Sequence, residues 1–95
     1  MAKVSRATQE RIDLLLAQAL GAYEELPEVV REIRGWNDAE RMSYVYDWFL
    51  LEQRVEELER NSARMNPKQS RRLEDLRDAV KSHRDEAEFV KSLAA

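Results

Sequence analysis

His83 is the only histidine in the chain and there is no cysteine. Any acid–base, nucleophilic or metal chemistry must therefore come from one imidazole and the carboxylates. The carboxylates do recur at helical spacing, with Glu52, Glu56 and Glu59 in one stretch and Asp85, Glu86 and Glu88 in another. Magnesium takes carboxylate oxygens of this kind in nucleotide chemistry. A carboxylate di-metal bundle, however, needs Glu-x-x-His pairs on two helices, and the residue three before His83 is Val80. Arg54, Arg60 and Arg84 interleave with the acids, the pattern of flanking coiled-coil positions where opposite charges pair. These residues are expected to form ion pairs, with His83 held by a neighbour such as Glu52 or Glu56. No catalytic, cofactor-binding or metal-ligating residue is assigned, and the chain is expected not to be an enzyme.

Two other groups of residues suggest binding. Between positions 60 and 73 the chain carries Arg60, Arg64, Lys68, Arg71 and Arg72 and no acidic residue. Cations grouped in this way can contact phosphates with salt-sensitive, sequence-independent affinity. That stretch has no aromatic ring to stack on a base, so nucleic-acid contact stands as an alternative function and not the leading one, ahead of a second alternative, a metal-dependent helical enzyme built on the carboxylates. The second group is aromatic: Trp36, Tyr44, Tyr46, Trp48 and Phe49 place five of the seven aromatic residues within fourteen positions. From Tyr44 to Leu51 a helix would be apolar nearly all round. Surplus aromatic surface of this kind is what protein interfaces are made of. The five aromatics are the expected interface anchors, with the basic residues as a charged rim.

Helices are the elements that must position these groups. Glycine and proline occur twice each, while 37% of residues are charged and 43% hydrophobic, a composition of long helices in an all-α fold. Ile12, Leu15, Leu16, Ala19, Tyr23 and Leu26 recur every three or four residues, which predicts a first helix over about 5–25. Pro27 interrupts an interior helical ladder but suits a first turn, so a short second helix is expected over about 27–34, ended by Gly35. Asn37 with Glu40 has the form of a capping box and predicts a third helix over about 38–64. Asn66, Pro67 and Gln69 repeat that start more strongly and predict a fourth over about 67–93.

Each of the last two helices carries a heptad seam. Tyr44, Trp48, Leu51, Val55, Leu58, Ser62 and Met65 form one, and Leu73, Leu76, Val80, His83, Ala87, Val90 and Ala94 the other. Joined by a short turn, they are expected to fold as an antiparallel coiled-coil hairpin over residues 37–95. Residues 1–36 are expected to pack on the base of that hairpin, leaving a two-helix extension beyond Glu52. The 95 residues form one domain, and a chain of this length hides only about two thirds of its unfolded surface. A second copy of the chain is therefore the expected partner, with another protein as a further one. A formal charge of −3 marks neither a polycation nor an acidic tail. No stretch approaches the roughly 20 apolar residues of a membrane span, and the start Met1-Ala2-Lys3-Val4-Ser5 lacks the apolar core of an export signal. The expectation is a cytoplasmic adaptor or regulatory module that performs no chemistry.

Overall fold

The computed structural model describes residues 4–94; Met1 to Lys3, part of the start read above for an export signal, and Ala95 lie outside the described residues. Helix α1 spans Arg6–Glu32 and ends in a 3₁₀ turn, Ile33–Gly35; α2 spans Asp38–Arg60 and ends in a second such turn, Ser62–Arg64; α3 spans Pro67–Ser82 and α4 spans Arg84–Ser92. Of the expected start signals, Asn66 operates in full and Asn37 in part, since the Glu40 carboxylate accepts from the Asn37 side-chain amide and not from its backbone N–H. Ser5, Asn37 and Asn66 each accept a hydrogen bond from the backbone N–H three residues on, satisfying donors that a helix start leaves unpaired. At Asn66 the capping box is complete, because the Gln69 side chain also accepts from the Asn66 N–H at 3.1 Å.

Residue pairs across the bundle give its topology. Arg11 meets Glu57, Gln18 meets Arg54 and Tyr23 meets Trp48, so numbers rise on α1 as they fall on α2. Glu59 meets Arg77 and Glu52 meets Lys91, so α3–α4 is antiparallel to α2. Gln9 and Asp13 meet Gln69, and Tyr23 meets His83, so α1 runs parallel to α3–α4. The result is an up-down-up bundle with principal extents of 51 × 23 × 18 Å. One buried cluster runs its length, from Ile12, Leu15, Leu16, Leu58, Leu73 and Leu76 near the α2–α3 turn to Tyr23, Leu26, Val45, Trp48 and Val90 toward the other end.

The structure corrects the sequence reading in three places. Pro27 lies inside α1 and begins no separate helix. Its ring removes one ladder bond at a cost of about 3 kcal/mol. The apolar stripe nevertheless continues past it: Leu26 and Ile33 are both 0% exposed, and burying two such side chains contributes about 3–6 kcal/mol. As a result α1 has 27 residues and reaches the full length of the hairpin. There is no two-helix extension beyond Glu52, and α3 packs chiefly on α1, less on α2. The third correction is at His83, which leaves the helical conformation with φ −111° and ψ 21° and divides the expected fourth helix into α3 and α4. Its N–H still reaches the Ala79 carbonyl and its own carbonyl accepts from Ala87 N–H, both at 3.0 Å. The chain therefore continues past the break in the same direction.

A polar tie holds each end of the bundle. Near the α2–α3 turn, Gln69 is 1% exposed, and its amide nitrogen donates to the Gln9 carbonyl at 3.2 Å and to Asp13 Oδ1 at 2.9 Å. One side chain thus caps α3 and joins it to α1. At the opposite end Arg41 donates to the carbonyls of Ile33, Arg34 and Trp36 and to the Asp38 carboxylate. Its guanidinium thereby serves carbonyls where α1 ends, sharing that of Ile33 with the Trp36 N–H. Replacing Gln69 by Ala strands three hydrogen-bonding partners and is expected to lower stability by about 1–3 kcal/mol. The check is urea unfolding beside a Lys68→Ala control, which should match wild type.

Candidate protein-interaction surface

The five aromatic residues expected as anchors divide between core and surface. Trp48 is 2% exposed and belongs to the core of this chain, with its indole N–H donating to Glu52 Oε2 at 3.3 Å. Its ring meets Tyr23 edge-on at 5.0 Å and stacks on Tyr44 at 6.3 Å; Tyr44 in turn meets Trp36 edge-on at 5.7 Å. Trp36 and Tyr44 are half-buried. Burial, with the Glu25 carboxylate nearby, pushes the Tyr44 phenol up to about 12. These rings fix the connection between α1 and α2. A shallow cleft of about 550 Å³ lies beside them, lined by Trp36, Ala39, Glu40, Ser43, Tyr44 and Asp47.

Tyr46 and Phe49 point the other way, at 66% and 41% exposure, and Met42 joins them at 46%. Steps of four and three residues put the three on one face of α2. Val45, from the same apolar stretch, is 1% exposed, and α1 lies on the other side of α2 from the stripe. The sequence pattern showed more apolar surface than one neighbour could cover. It did not show which residues would be left over, since that depends on where α1 docks. Among the described residues Leu14 is the other large apolar side chain that is exposed, and it stands alone on α1.

The charged groups are distributed as follows. Among the described residues, Arg60, Arg64, Lys68, Arg71 and Arg72 form no ion pair. All but the half-buried Arg72 are exposed. They surround the end of the bundle where α1 and α3 begin, so two positive helix ends lie there as well. Glu52 is held by Trp48 and Lys91, Glu59 by Arg77, and Glu88 by Lys91. His83 Nδ1 lies 2.6 Å from Glu86 Oε1; its partner is Glu86, not the Glu52 or Glu56 expected from the seam. Among the described residues no three acidic or histidine side chains converge as a ligand set. A groove of about 440 Å³ opens between α2 and α3, floored by Val55, Leu76 and Val80 and rimmed by Glu59, Glu74, Arg77, Asp78, Lys81 and Arg84.

Hydrogen bonds from Arg11 and Arg77 hold the Glu57 and Glu59 carboxyls below the usual carboxylate range. A carboxylate with a depressed value in the folded state adds stability above its ordinary pKa of about 4.3, and that stability is lost as pH falls through the depressed value. The melting temperature should therefore hold from pH 7 to about 5 and decline below that. The decline should be shallower for Glu57→Gln/Glu59→Gln in a calorimetric series.

Compared with protein-family models, with curated proteins and with solved structures, the chain matches none of them. Among the described residues no helix is long and apolar enough to cross a membrane.

Proposed function

We propose that this protein is a non-enzymatic interaction module, an adaptor or regulatory bundle that works as a homodimer in the cytoplasm. The carrying observation is the stripe of Met42, Tyr46 and Phe49 left open on α2, on a bundle that covers almost all its other large apolar side chains. Covering a half-exposed side chain of this size contributes about 1 kcal/mol. Three on each of two copies contribute about 6 kcal/mol, so flanking polar and charged contacts must supply the rest of what a micromolar dimer needs, about 8 kcal/mol net of the cost of binding. The absence of cysteine agrees with a reducing compartment. Light scattering on the eluted protein at about 50 µM should give the mass of a dimer. Tyr46→Ala/Phe49→Ala should give a monomer whose folding stability lies within about 0.5 kcal/mol of wild type. A monomeric wild type at that concentration would remove the dimer. Trp48→Ala is no substitute for that variant, because emptying a core site costs about 3–5 kcal/mol and reports on folding.

A second reading is favoured by the five cations that lack ion pairs at the α2–α3 turn. Here the protein grips nucleic-acid phosphates with that end. Arg71→Ala/Arg72→Ala should then weaken binding to a labelled duplex and reduce its salt slope by about 2. No binding of wild type in low salt would end this reading.

A further inference from the structure

The outward face of α2 is a complete heptad row, Met42, Tyr46, Phe49, Gln53, Glu56 and Arg60, at steps of four, three, four, three and four. All six are exposed. The row is apolar at its start and polar at its end, and charge on the bundle is divided in the same direction. Between residues 24 and 47 there are seven carboxylates against three guanidinium groups, four of the carboxylates on α1; between 48 and 59 α2 carries Glu52, Glu56, Glu57 and Glu59 against Arg54, and from 60 to 73 the charge reverses, with five cations and no carboxylate. Within α2 the acids Asp38 and Glu40 occupy the first turn and Arg60 the last. Among the described residues, neither Glu56 nor Arg60 forms an ion pair, although one helical turn separates them.

Building on the dimer proposed above, we infer that two copies pair antiparallel through α2, the acidic start of each helix lying along the basic end of the other. A two-fold axis between Phe49 and Gln53 sets Phe49 on the partner's Gln53, Tyr46 on the partner's Glu56 and Met42 on the partner's Arg60. Each contact is chemically matched. The Tyr46 hydroxyl donates to a carboxylate. The aliphatic stem of Arg60 covers the methionine while its guanidinium stays wet and lies near Asp38. A parallel pair through the same row would set Asp38 and Glu40 on their own copies and Arg60 and Arg64 on theirs. Like charges so placed oppose association and leave the antiparallel order favoured.

The cysteine-free chain allows spin labels to be placed singly at Ala39→Cys and Ala63→Cys. Both alanines are exposed, continue the heptad row one step beyond Met42 and Arg60, and lie at equal distances from the axis. After light scattering has shown the wild type and both labelled variants to be dimers, electron–electron dipolar distances report the arrangement. The antiparallel pair gives about 35 Å within dimers labelled at 39 alone or at 63 alone, from 1.5 Å per residue. A new population below about 25 Å should then appear when the two labelled proteins are mixed. Short distances within each singly labelled dimer would show the parallel order, and long distances in every sample would place the interface elsewhere; either overturns the inference and leaves the dimer standing. A monomer by light scattering removes both.

Discussion

The bundle depends on a single continuous helix, α1, whose buried stripe serves both other passes of the chain. Ile12, Leu15, Leu16, Ala19, Tyr23, Leu26 and Ile33 are each at most 4% exposed. They form a face wide enough to lie in the angle between α2 and α3–α4. Without it, the hairpin would present one thin seam to water, and most helical stability comes from the packing of an amphipathic face. Burial along α1 explains why the helix runs through Pro27 and why the α2–α3 end of the hairpin does not project alone.

Apolar burial is non-directional and does not by itself fix how far one helix slides along another. In this protein the polar ties at the two ends set that register. Gln69 joins the start of α3 to the first turns of α1, and Arg41 collects the carbonyls where α1 ends. The aromatic series from Trp36 through Tyr44 and Trp48 to Tyr23 fills the space between these connections. With so many rings spent inside, the open stripe on α2 is a definite remainder.

Much of this architecture was legible in the sequence, because the signals involved are local. The Asn37 and Asn66 starts depend on residues three apart, and the apolar repeats of the later helices fix which faces turn inward. The reading went astray where a local rule met a tertiary gain. Pro27 reads as a boundary until the burial of Leu26 and Ile33 is set against one missing bond. The seam passed unbroken through His83, whose departure from helix accompanies its contacts with Tyr23 on α1 and with Glu86. Gln69 was legible as a cap, but its grip on Gln9 and Asp13 spans more than fifty positions and has no local trace. Among the aromatics, period alone could not separate Trp48 from Tyr46, since both sit in a stretch apolar on nearly every side. Only the position of α1 decides that one is core and the other surface.

Three passes of the chain are an odd number, so Val4 and Ala94 stand at opposite ends of a rod 51 Å long. A pull applied between those two points runs along the helix axes and must slide α1 past α3–α4 with the whole apolar stripe resisting at once. A hairpin, gripped at two neighbouring ends, would open one contact at a time.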